Sequence, residues 1–280
     1  MNTQPKILRS IRNLPKFEYA VPEKIFYINQ TTSLDCINDL IHDVKEVKQF
    51  ILVTKYDFAL NHPCLLQILF SQHSQTYIIL IEPRYLPNNT CVLFQQIQFL
   101  LSIILSPSNL LQSWGEIKNE LKYFSIHDLF TLQQIERTQV VNIQQKFKRW
   151  FDTIFAHTDD CDELYDHLND YSTCICVHRP LNHSYDEWSL DMAIAFIYEQ
   201  YFDTSFTHSN WNIGLYFHVQ VPSSAEHLNH TDEEIFYLQL HCEKQCRYIL
   251  NEYVVKECSA IKKLAAFLQN SLLRKHKETY

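Results

Sequence analysis

Cysteine and histidine are the side chains through which this 280-residue chain offers the densest chemistry: it carries nine cysteines and 14 histidines. The tightest group is Cys174-Ile175-Cys176-Val177-His178, soft ligands on alternate positions that a strand would aim one way. A second pair, Cys242 and Cys246, stands four residues apart, on one face of a helix. Zinc needs a fourth donor, and the sequence offers neither group a matching ligand pair. Both therefore read as reduced cysteines packing like small apolar side chains. The only glycines are Gly115 and Gly214, which excludes glycine-rich phosphate loops, since these need several close backbone approaches.

The elements that would position any such chemistry are strongly apolar. Hydrophobic residues make up 46% and aromatics 14%, enough to fill a sizeable core. The net charge of −8 means that nucleic-acid affinity would have to come from a local basic patch. The start, Met1 to Lys6, has no apolar signal region, and an odd cysteine count suits a reducing compartment. An intracellular protein of cytoplasm or nucleus, not secreted, is the expectation. The sequons at Asn29, Asn88, Asn182 and Asn229 then read as chance. Ile97 to Leu105 is too short to span a bilayer, so no membrane role is expected.

The centre of the pattern is residues 49–70. Phe50-Ile51-Leu52-Val53 and Leu65-Leu66-Gln67-Ile68-Leu69-Phe70 flank a turn at Asn61-His62-Pro63, and read as paired strands buried on both faces. Lys24 to Ile28 and Tyr77 to Ile81 read as further strands, and Leu110 to Trp114 as another. Helices are predicted over 34–48, behind the N-cap candidates Thr31-Thr32-Ser33, and over 92–105, 116–124, 142–155, 189–201 and 232–256. The acidic stretch Asp159 to Asp170 reads as a solvated helix or loop. A last segment, Ile261 to Leu273, precedes the basic tail Arg274-Lys275-His276-Lys277. Trp188, Trp211 and Gly214 read as packing residues. This order predicts an α/β protein with a mixed sheet and helices on its faces.

In their order and spacing these pieces resemble the 3′–5′ exonuclease domain of the DEDD superfamily, of the RNase D and Werner exonuclease type. Residues 50–70 and 77–81 are similar to its first three strands. Trp114-Gly115-Glu116-Ile117-Lys118-Asn119-Glu120-Leu121 is similar to its second motif, and 188–215 to the segment before its third. The Tyr-x-x-x-Asp of that third motif is matched to Tyr237-Leu238-Gln239-Leu240-His241. The resemblance implies a ribonuclease H-like mixed sheet flanked by helices, with a helical insertion near 131–180. The domain would span residues 23–257, after an extended leader at 1–22 and before a C-terminal helix and basic tail at 258–280.

The family holds two divalent ions, Mg²⁺ or Mn²⁺, with four carboxylates, and they drive in-line phosphodiester cleavage. Residue by residue, its first Asp-x-Glu falls on Thr54 and Tyr56, so both acids are missing. Glu120 is the second motif's acid, equally readable as a helix N-terminal acid favoured by the dipole. Tyr237 is the tyrosine of the third motif, and its aspartate is His241. Two dications about 4 Å apart repel by about 15 kcal/mol at an effective dielectric near 20, more than one glutamate offsets. A single ion on Glu120 and His241 is the residual metal site; Asp57 lies out of phase with Thr54. The leading expectation is an exonuclease-like protein that binds single-stranded nucleic acid, with weak or lost hydrolysis, near Glu120 and Tyr237. The alternatives are an active metal-dependent exonuclease and a protein-interaction scaffold.

Overall fold

The two apolar runs at 50–70 pair at the middle of a six-stranded sheet in the computed structural model. It describes residues 11–19, 22, 24–57, 62–155, 187–209, 211–215 and 230–278. The strands are β1 (Lys24–Ile28), β2 (Gln49–Asp57), β3 (His62–Gln72), β4 (Gln75–Ile81), β5 (Leu110–Ser113) and β6 (Gln139–Asn142). Their spatial order is β1-β4-β3-β2-β5-β6. β2, β3 and β4 form an antiparallel meander, while β5 and β6 continue parallel to β2 on its other side. That arrangement is the ribonuclease H-like sheet, extended by β1, which pairs parallel with β4.

Side-chain alternation along the central strands feeds two cores. Leu52, Leu66, Ile68, Phe70 and Ile79 face α1 (Leu34–Lys45), α2 (Val92–Ile104), α3 (Ile117–Phe124) and α4 (Leu132–Arg137). Ile51, Leu65, Leu69, Ile78 and Leu80 face α5 (Ile143–Ile154), α6 (Leu190–Tyr198) and α7 (His230–Glu278). A sheet covered on both faces needs apolar residues at nearly every central position, which is why alternation is absent from its sequence. The helices begin where local chemistry allows: Ser33 accepts from the Cys36 amide, Thr131 and Gln134 form a capping box, and Asn142 accepts from the Gln145 amide.

Two differences from the sequence reading have plain causes. Residues 139–142 form the sixth strand, beside β5, so residues 131–155 belong partly to the sheet rather than to an insertion; four residues are too short for a periodic signal. The helix expected to end near Lys256 runs on as one helix of 49 residues, with neither glycine nor proline to stop it. Asn29 and Asn88 sit in their N-x-T sequences as turn formers, each side chain accepting from the backbone amide and hydroxyl of the threonine two residues on. Cys174, Cys176, His178 and the acidic 159–170 stretch lie outside the described residues. No helix among the described residues is long and apolar enough to cross a membrane.

Candidate functional site

The site is built where the C-terminal half of β2 meets α3 on one face and α7 on the other. Ile51 and Val53 lie against the α7-side core, Leu52 and Tyr56 against the α3-side core, with a bulge between Lys55 and Tyr56. Alternation therefore sends Lys55 toward α7 and Thr54 toward α3. Lys55 is only 5% exposed within this strand. Its Nζ lies 2.6 Å from both carboxylate oxygens of Glu257, itself buried on α7.

Aromatic side chains complete the enclosure of that pair. The Lys55 ammonium stands 5.0 Å from the Tyr253 ring centre and 5.4 Å from that of Trp211, cation–π distances. The Tyr253 hydroxyl lies 2.8 Å from Thr207 Oγ1 and 3.4 Å from Glu257 Oε1. Burial, then the Glu257 charge, pushes that phenol far above the usual tyrosine range, so it stays protonated. Trp211 is held by the turn that follows it. Gly214 has φ +72°, and a Cβ there would come within 2.6 Å of the Tyr85 ring. The next amide, Leu215 N–H, donates to the buried Glu82, and Arg247 donates to the Gly214 carbonyl.

On the other face of β2 the arrangement is different in kind. The Thr54 hydroxyl donates to Glu120 Oε2, and the Tyr56 hydroxyl donates to the Glu120 backbone carbonyl. Burial raises the Glu120 pKa, with Glu257 and Glu116 adding to it; the Thr54 bond and the Lys55 charge pull it back only partly. Beside Tyr253 opens a groove of about 220 Å³ lined by Lys16, Phe17, Phe202, Asp203, Phe206 and Lys256, among others.

Thr54, Tyr56 and Glu120 are thus brought together. His241 is not: it is exposed on α7, about 24 Å along the helix from Glu257 at 1.5 Å per residue. It cannot share an ion with Glu120. Tyr237 lies one turn further out on the same helix. Asp57 closes β2 in register with His62. The tyrosine–acid spacing that α7 carries to the sheet is Tyr253-Val254-Val255-Lys256-Glu257, a second stretch on the same helix with a tyrosine four residues before its last position, here a glutamate. The available signal was Lys55 itself: a lysine inside a doubly buried strand requires a buried acid, and Glu257 is spaced correctly from a tyrosine to supply it.

These residues do not fit a pair of divalent ions. Two carboxylates are present, one engaged by an ammonium and the other by the Thr54 hydroxyl. Among the described residues no cluster of three or more acids, histidines or cysteines could hold a metal.

Solved structures similar to this chain include exonuclease domains and an RNase D. The exonuclease domain of Aedes aegypti Nibbler aligns with TM-score 0.45 and 12% identity, covering 92% of this chain and 99% of that one. Escherichia coli RNase D, described as an exoribonuclease involved in structured RNA processing, aligns with TM-score 0.36 and 13% identity over 88% of this chain and 50% of that one. The EXD2 exonuclease domain aligns with TM-score 0.34 and 14% identity over 89% and 96%. No family model and no curated protein matches the sequence.

Proposed function

We propose that this chain is a 3′–5′ exonuclease-like protein that binds single-stranded nucleic acid without two-metal cleavage. The observation that carries the loss of cleavage is the buried Lys55–Glu257 pair. In-line displacement through two metals needs dications at both the attacking and the leaving oxygen. A fixed ammonium supplies one positive charge, and its single carboxylate is already used. The buried Tyr253 phenol, held protonated, donates hydrogen bonds and does not act as a base.

Binding is supported by the groove beside Tyr253, whose half-buried rings Tyr201 and Phe206 and two lysines suit a base and a phosphate. Asp203 and Glu252 also line it, so the electrostatic component is small. The test uses labelled single-stranded RNA and DNA with Mg²⁺ or Mn²⁺. The expected result is saturable binding that weakens with salt, and intact strands after long incubation. A one-nucleotide ladder that disappears in Glu120→Gln would establish an active exonuclease instead. Absence of binding at low salt would leave the scaffold reading.

A further inference from the structure

We infer that a groove at the opposite end of β2, lined by Lys48, Gln112 and Lys262, binds a small phosphomonoester with a hydrogen-bonding head, the chemistry of a nucleoside monophosphate. The groove encloses about 710 Å³, within the range of small-ligand sites. It shares no lining residue with the groove beside Tyr253. Its Gln49 lies about 20 Å along β2 from Lys55, so the two ends of the strand carry separate sites.

Sheet register lays out the floor. Gln112, Ile51 and Leu69 are neighbours in one row across β5, β2 and β3, on the α7 side of the sheet. Ser71 lies two residues beyond Leu69 on that same face, paired with Thr76 of β4. The Lys262 ammonium, reaching from α7, donates to both of these hydroxyls at 2.7 Å. An ammonium has three donors, so one is left for a ligand. Neither Lys262 nor Lys48 has a carboxylate partner among the described residues. Burial also holds the Lys262 pKa below the usual lysine range. A half-buried cation met only by neutral hydroxyls is stabilised by an anion, and phosphate accepts such charge-assisted bonds. Among the described residues Glu46 is the one acid lining the groove, against two lysines, in a chain of net charge −8.

The other end is neutral and polar. Gln112 is 6% exposed, yet its side-chain amide has no hydrogen-bond partner among the described residues. A buried amide left unpaired is costly, and a ligand edge in the groove would satisfy it. An amide sets a donor beside an acceptor, the complement of a nucleobase edge. Between the two ends Ile51, Leu69 and Ala265 form an apolar floor. Two strand spacings and two residues separate Gln112 from Ser71, about 12 Å between backbones. With side chains reaching inward from both ends, one mononucleotide spans that interval.

Isothermal titration of the full-length protein, in phosphate-free buffer with EDTA, tests the site with AMP, GMP, CMP and UMP in turn. Inorganic phosphate and the matching nucleosides serve as fragments. At least one mononucleotide should bind one per chain with Kd below about 1 mM, at least about tenfold more tightly than either fragment. Lys262→Met should weaken it at least about tenfold, and Lys262→Arg less, because the charge is kept. Gln112→Leu should weaken it about fivefold and leave phosphate affinity unchanged. Lys48→Met, at an exposed position that does not threaten folding, should weaken it about threefold. Near-UV circular dichroism checks that each variant is folded. The site is disproved if none of the four binds, if phosphate alone binds as tightly, or if the folded variants bind like wild type. Loss of binding in Lys256→Ala with Lys262→Met unaffected would move the ligand to the groove beside Tyr253, and equally disprove it.

Discussion

The two faces of β2 hold a carboxylate in opposite ways. Toward α3, Glu120 is met by the neutral hydroxyl of Thr54, and burial pushes its pKa up. Toward α7, Glu257 is met by the full charge of Lys55 inside an aromatic enclosure. Adjacent residues of one strand have thus settled two acids, one half-buried and one buried, by different physics: one through a hydrogen bond, the other through ion pairing. The difference teaches that one strand can hold two acids by two different means. An acid taken out of water must be hydrogen-bonded, paired or protonated, and each choice has its own signature in stability and pH response.

The comparison breaks most visibly at the ion pair. Lys55→Met alone should cost about 3–5 kcal/mol in denaturant unfolding, whereas Lys55→Met/Glu257→Leu should return to within about 1–2 kcal/mol of wild type. Equal losses in single and double variants would show that packing, not charge, sets this face. Next in size, Gly214→Ala should cost about 2–3 kcal/mol by the same measurement. Its Cβ meets the Tyr85 ring at 2.6 Å on a backbone with φ +72°, and the turn that holds Trp211 over the ammonium must shift.

The α3 face is sharpened by pH. Because the folded-state pKa of Glu120 is raised, the native state holds its proton more tightly than the unfolded chain. Its contribution is therefore fully present at low pH, and stability falls as pH rises from the ordinary glutamate value of 4.5 through the raised one. Melting Glu120→Gln against wild type over about pH 4 to 8 should give the variant a flatter profile, and at neutral pH a Tm equal to or above wild type. Thr54→Val removes the hydroxyl that Glu120 accepts from and should cost about 1 kcal/mol, more at neutral than at acidic pH. At the small end, His241→Ala on the exposed stretch of α7 should fall within about 0.5 kcal/mol of wild type and leave nucleic-acid binding unchanged.

The meander was legible because its residues obey a local rule. Strands buried on both faces read as unbroken apolar runs, and Phe50 to Phe70 and Tyr77 to Ile81 appear where that rule puts them. α1, α2 and α3 likewise start and stop within a few residues of their caps and prolines. β6 was not legible, since Gln139-Val140-Val141-Asn142 becomes a strand only through pairing with β5. Trp114-Gly115 and the helix start mark Glu120 locally, and the structure sets it beside Thr54 and Tyr56. Its companion on α7 was missed because two tyrosines, Tyr237 and Tyr253, each begin a similar five-residue pattern on one uninterrupted helix. Nothing in the helix's own periodicity says which turn touches the sheet.

By itself, then, the sequence determined the central strands and the helix layers. Both follow from side-chain type and short-range period. Only the tertiary structure decided that Lys55, rather than its neighbours, faces α7, and that Glu257, separated from it by 202 positions, is the acid it meets. Strand alternation and helix register convert a one-residue difference into the opposite side of the sheet, and buried charges select their partners by position in space, not by distance along the chain.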